Sequence, residues 1–245
     1  MMDKVLSLRA DERWPEMIKL IGGLPADVRD EQPFQRQLAL ALNRDGRSLE
    51  AERILLRWVD DGIADSKTLG ILGRVYRDRW ELALERGDAV AGSHLAQAIE
   101  MYSRGFDESE RQNSYPGINL LTLFVISNPN DPHIPELADE IRDLVAPKLE
   151  GPSPDYFDYA TELELSVDML EEHPARSALK GALETAGESK KPGAHPRKRW
   201  ALRTTAHNLS LLRIARKTRG ESYPWATEIE HRLLAEADQA RVATL

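Results

Sequence analysis

The chain has 245 residues, 41% hydrophobic and 30% charged, which is a soluble globular composition and not a disordered one. Its formal net charge is −8, so a general affinity for phosphate backbones is not expected. It contains no cysteine, which excludes disulfides, thiol catalysis and thiolate metal sites.

The N-terminal residues carry charges throughout and no apolar run of signal-peptide length, and no stretch approaches a membrane span. The reading is a cytoplasmic protein. Residues 1–31 form a helical entry cap: Trp14, Met17, Ile18 and Ile21 have helical spacing, Pro15 suits a helix start and Gly22-Gly23 an end. Residues 33–185 follow as irregular hairpin repeats. In the first, Phe34, Leu38, Ala41 and Leu42 mark one helix, and Ala51, Ile54, Leu55 and Trp58 the next. Asp45-Gly46 turns between them and Asp61-Gly62 closes the second.

A 34-residue echo links this unit to the next. Leu69, Leu72, Gly73 and Tyr76 fill an apolar, Leu, small, large pattern, and Leu38, Ala39 and Leu42 fill its last three places one period earlier. The small residue lets the two helices of a hairpin approach. The second unit is stretched around 77–93, which predicts a lengthened first helix and loop, with breaks at Gly87-Asp88 and Gly92-Ser93. Ala98, Tyr102, Gly105 and Phe106 share a face of its second helix. The chain breaks at 107–116 and restarts with Ile118, Leu121 and Val125.

The third unit turns at 127–135, rich in Asn, Asp and Pro. After the turn GPSPD at 151–155, Ala160, Leu163, Val167 and Leu170 mark the fourth unit, with its turn at 171–174. The segment 186–199 is a basic loop on an acidic chain. Closing helices fill 200–245, with Leu202, Ala206, Leu209 and Leu212 on one and Ile229, Leu233 and Ala237 on the other. The expected fold is all-α: a right-handed superhelical stack of tetratricopeptide-like hairpins, eleven or twelve helices in a single domain.

Three blocks carry a family likeness. The first is Leu72, Gly73, Arg74, Tyr76, Asp78 and Trp80, leading into GF, YPGIN and LLTL between Tyr102 and Leu123. The second is DYFDYATELE, Asp155 to Glu164. The third is Thr205, Asn208, Leu209 and Arg216. In this order they resemble the TRAFs-binding domain of the apoptosis signal-regulating kinases and its stand-alone bacterial relatives. The resemblance implies a tetratricopeptide-like array that acts as a regulatory or interaction module in signalling or bacterial conflict, binding a protein partner.

Arg74, Arg77, Tyr115, Asn119, Asp158, Thr161 and Asn208 come from these blocks and belong to first helices or the closing helix. First helices line the concave face of such stacks. The seven therefore form either a groove site for a protein segment or small anionic ligand such as a nucleotide, with the arginines as anchors, or inter-helix hydrogen bonds that fix the register. Lys190, Lys191, Arg197, Lys198, Arg199 and Trp200, with Arg203, are either a contact for an acidic partner or single strand, or a solvated loop. Asp158 and Glu162 share a helix face with Glu164 nearby, as an acid pair or as local capping. The six histidines form no paired ligand spacing, and there is no GxSxG, Walker A or GxGxxG motif. No metal, cofactor or catalysis is expected.

Overall fold

A computed structural model of the chain describes residues 1–186 and 198–242. Among these residues there are thirteen helices and no strand. The fold is an all-α stack of helical repeats.

The helices form two compact units, Met1–Arg9 with Arg13–Leu120, and Ala10–Glu12 with Leu121–Leu245. The first unit opens on α1 (Met2–Ala10), α2 (Trp14–Gly22) and α3 (Ala26–Arg29). Val5, Leu8, Met17, Ile21 and Leu24 bury against Phe34 and Ala41 of α4 (Gln32–Arg44). Met17 and Ile21 of α2 bury in this cluster with Trp14 and Ile18 packed beside them, the helical face that their spacing predicts.

Two hairpins follow: α4 with α5 (Ser48–Asp60), and α6 (Ser66–Arg86) with α7 (Ala91–Glu108). Gly46 and Gly62 take left-handed φ of 80° and 69° where the Asp-Gly turns were expected. Asp65 starts α6 by accepting from Thr68 N at 2.8 Å. Gly87 ends it with φ 69°. At 21 residues α6 is the lengthened first helix predicted from the sequence. Gly92-Ser93 is no break. It lies in the first turn of α7, where the first four N–H groups have no helical partner and glycine costs little.

The boundary between the units falls inside α8 (Ser114–Ser127). Ile118, Leu120, Leu121, Leu123 and Val125 are all buried, as in a helix covered on several sides. The second unit continues with α9 (Ile134–Leu149), then α10 (Tyr156–Asp168) paired with α11 (Glu172–Ala186), and α12 (Lys198–Thr218) paired with α13 (Pro224–Val242). Pro174 lies in the first turn of α11, where a missing N–H is tolerated, so that turn is shorter than expected. Lys198, Arg199 and Trp200 begin α12 and are helical, not part of a loop. Lys and Arg are good helix formers, and a first turn needs no apolar stripe of its own.

Candidate functional site

Helix α6 carries the densest polar cluster of the first unit, and its glycines set the geometry. A Cβ on Gly73 would sit 2.9 Å from Cδ1 of Tyr102, and one on Gly70 2.8 Å from Cε1 of Tyr115. Both rings therefore lie on the bare backbone of α6. They meet edge to face, with centroids 6.3 Å apart. Gly105 of α7 faces back, its Cβ position 3.2 Å from Leu69. This close approach places Tyr102 and Tyr115 beside the next outward turns of α6, which bear Arg74, Arg77, Asp78 and Glu81.

Arg74 and Arg77 are only 4% and 1% exposed. Arg74 Nε donates to Asp78 Oδ1 at 2.9 Å, and Arg77 Nη1 to Asn119 Oδ1 at 2.8 Å. Arg77 Nε stands 3.4 Å from Glu81. Asn43, at the end of α4, donates to Asp78 Oδ2 at 2.6 Å. Arg74 Nη2, Arg77 Nη2 and the Tyr102 hydroxyl are buried and make no hydrogen bond.

Three guanidiniums face two carboxylates here, since Arg44 lies in the field of Arg74, Arg77 and Asp78. Burial and then the Arg74 charge pull Arg44 down to about 10, with Asp78 partly offsetting them. Burial opposes the charge of Arg74 most strongly, but Asp78, Tyr115, Tyr102 and Glu81 together outweigh it and the guanidinium is held above its ordinary value. Burial raises Tyr102 well above the usual phenol, so it stays a neutral hydroxyl. The cluster is an electropositive centre with hydrogen-bond donors to spare. Asp78 and Tyr115, 24% exposed at its side chain and 38% exposed overall, form part of its solvent rim.

Of the seven groove residues expected from the sequence, Arg74, Arg77, Tyr115 and Asn119 come together in this cluster. Asp158, Thr161 and Asn208 belong to the second unit, where Asp158 and Thr161 bond within α10 and Asn208 ties α12 to it. Asp155 and Asp158 form a reciprocal capping box at the start of α10. Thr161 Oγ1 donates to Phe157 O at 2.8 Å. Asn208 Nδ2 donates to both carboxylate oxygens of Glu164 at 3.0 Å. The same seam pairs the Tyr156 and Thr205 hydroxyls at 2.9 Å. Arg216 donates from its two Nη atoms to Val167 O and Asp168 O, at 2.9 and 2.8 Å. Glu162 accepts from Ser166 at 3.0 Å, and burial raises its carboxyl above the usual range.

The basic segment divides. Lys190, Lys191 and Arg197 lie outside the described residues. Arg199 pairs with Glu12 at 3.3 Å and Arg203 with Asp238 at 2.9 Å. Trp200 meets Phe157 edge on, centroids 6.2 Å apart. Sequence reasoning missed Asn43 and Arg44, and the signal was available. They lie 34 residues before Arg77 and Asp78, so one repeat period puts each pair on equivalent faces of successive first helices.

Tetratricopeptide Repeats-Sensor is the family whose model matches the chain, over residues 13–124. The matched segment contains α6, both tyrosines and all the arginines of the cluster. The chain therefore contains a tetratricopeptide-like helical domain. No curated protein matches it. Such a domain fits an interaction or sensing module. Among the described residues no helix is long and apolar enough to cross a membrane.

Proposed function

We propose that the protein is a non-catalytic cytoplasmic regulatory module whose tetratricopeptide-like domain senses a small anionic ligand at Arg74 and Arg77. The observation that carries this reading is the pair of buried guanidiniums with nitrogens that meet no acceptor, Arg74 Nη2 and Arg77 Nη2. A buried polar group without a partner costs about 1–3 kcal/mol, and more when charged, so such groups call for an explanation. An anion with several acceptor oxygens supplies the acceptors that these nitrogens and the Tyr102 hydroxyl lack. It would also offset the Arg74 charge that, after burial, depresses Arg44. Asn119 orients Arg77, and Tyr115 covers the site at the first turn of α8.

A protein segment is the second reading, and the 38% exposed ring of Tyr115 favours it. An acidic side chain of a partner would use the same arginines while its backbone ran along the first-helix face. The narrower resemblance to the TRAFs-binding domain extends either reading: occupancy would regulate an associated signalling effector.

The test is thermal unfolding of the full chain with inorganic phosphate, against chloride at matched ionic strength. A ligand at a hundredfold excess over its Kd adds about 2.7 kcal/mol. Stabilisation of the wild type that is lost in Arg74→Gln is the expected result. No stabilisation beyond chloride would overturn the sensing reading.

A further inference from the structure

We infer that Asp78 is a built-in competitor for the ligand: its carboxylate, held between Arg74 and Asn43, occupies the place that a phosphate dianion takes by displacing it. This inference rests on the anion-sensing reading above.

Asp78 Oδ1 accepts from Arg74 Nε at 2.9 Å and stands 3.9 Å from Arg77 Nη2, while Oδ2 accepts from Asn43 Nδ2 at 2.6 Å. Asp78 thus touches Arg74 and approaches Arg77 while keeping part of its side chain at the solvent rim. Glu81 lies 3.4 Å from Arg77 Nε, and its charge also acts on Arg74. A tethered anion competes as a high local concentration of an ordinary ligand would.

Charge counting names the ligand class. With Asp78 in place, Arg44, Arg74 and Arg77 face two carboxylates and keep one positive charge. A monoanionic carboxylate from solution would replace Asp78 charge for charge and gain nothing against a tethered rival. When Asp78 turns out to solvent, the remaining groups carry two positive charges, which a phosphate dianion balances. Its oxygens suit the planar donor forks of Arg74 and Arg77. Free phosphate and a phosphate monoester share this chemistry.

The displacement is also a signal. Asn43 sits one residue before the end of α4 and two before the Asp45-Gly46 turn. Its side-chain amide donates to Asp78 Oδ2 at 2.6 Å. Displacing Asp78 breaks this tie between α4 and α6, so occupancy at α6 is reported in the neighbouring hairpin of the same unit.

The experiment is calorimetric titration of the full chain at pH 8 and fixed ionic strength with inorganic phosphate, glycerol 3-phosphate and acetate. Phosphate or the monoester should bind the wild type and acetate should not, with the tighter of the two identifying the source. Asp78→Asn should bind phosphate about ten-fold more tightly or better, since a charged hydrogen bond no longer has to be broken. Asn43→Ala keeps both charges and only loosens Asp78. It should also tighten binding, and it keeps the test decisive if Asp78→Asn does not fold. Glu81→Gln should tighten binding less than Asp78→Asn does, because it removes a charge beside Arg77 but leaves the Asp78 to Arg74 bond to be broken. Amides at 41–45 should exchange faster when phosphate is bound. Phosphate affinity unchanged in both Asp78→Asn and Asn43→Ala, with the wild type binding, would overturn the competitor while leaving the anion site. No binding to the wild type or to either variant would remove the site itself.

Discussion

Gly73 decides how closely α7 can approach α6, and replacing it by alanine should be costly for a steric reason. An added methyl would lie 2.9–3.0 Å from three atoms of the Tyr102 ring. That ring is fully buried, with Arg74 and Arg77 in its electrostatic surroundings and Tyr115 across its edge. It has no open side to retreat into. Overpacking by one methyl costs about 1–3 kcal/mol, against about 1 kcal/mol regained because alanine is the better helix former. Gly92→Ala supplies the comparison, since a Cβ there meets nothing within 4 Å. Glycine costs little in the first turn of α7, so Gly92→Ala should be close to neutral, and Gly73→Ala should lie below it by the steric cost less the helix gain, up to about 2 kcal/mol. Gly181→Ala adds a second comparison. Its Cβ would come closer still to Tyr159, but that ring is only half-buried and can swing outward. Its cost should fall below that of Gly73→Ala despite the shorter approach. Urea unfolding followed by far-UV circular dichroism measures all three. If Gly73→Ala is as stable as Gly92→Ala, Tyr102 is not held as tightly as its burial implies.

Two further outcomes follow from single residues and one from the fold. Asp168 is buried, accepts from Thr122 Oγ1 at 2.8 Å, and leaves Oδ1 without a hydrogen bond. Burial pushes its carboxyl up to about 8; Thr122 from α8 and Arg216 from α12 oppose the shift, and Glu164 on its own helix adds to it. The folded state then binds the proton that the unfolded state has lost, so stability should fall as pH rises from about 4 to 8, by at most about 1.4 kcal/mol per unit from this group. Asp168→Asn should flatten that slope in urea melts at pH 5 to 8, and an unchanged slope would refute the assignment. Leu170 follows α10 with φ 63° and is 40% exposed. Leu170→Gly should raise stability by up to about 1 kcal/mol, because the left-handed conformation penalises a Cβ and little burial is lost; a lower Tm would refute it. We also propose that the chain unfolds as one domain, because the unit boundary lies within the continuous α8 and not at a linker. Circular dichroism and tryptophan fluorescence should give coincident urea transitions, and two separated midpoints would overturn this.

The hairpins were legible because their signals are local. Asp45-Gly46, Asp61-Gly62 and Gly87 each ended a helix where expected, and the stretched spacing between Tyr76 and Ala98 became the length of α6. The site was legible only in part, because a list of polar residues on first helices does not say which of them already have partners. Asn208 and Asp158 look no different from Arg74 in the sequence. In the fold Asn208 meets Glu164 across 44 residues and Asp158 caps its own helix, so both are spent on register. Glu164, Thr205 and Arg216 were visible as motif positions, and their partners explain why those blocks have their spacing: Tyr156 to Thr205, Glu164 to Asn208 and Val167 to Arg216 step along α10 and α12 together. Four of the seven expected groove residues, Arg74, Arg77, Tyr115 and Asn119, share the α6 cluster, and of the seven it is Arg74 and Arg77 that keep buried donors without an acceptor. Burial alone does not separate the two cases, since Arg216 is as deeply buried as Arg74. The difference lies in acceptors: both Nη atoms of Arg216 meet carbonyls at a helix end, whereas Nη2 of Arg74 and of Arg77 meet none. An arginine that ends a helix completes the fold, and one left with unspent donors beside a second arginine is poised for something the chain itself does not supply.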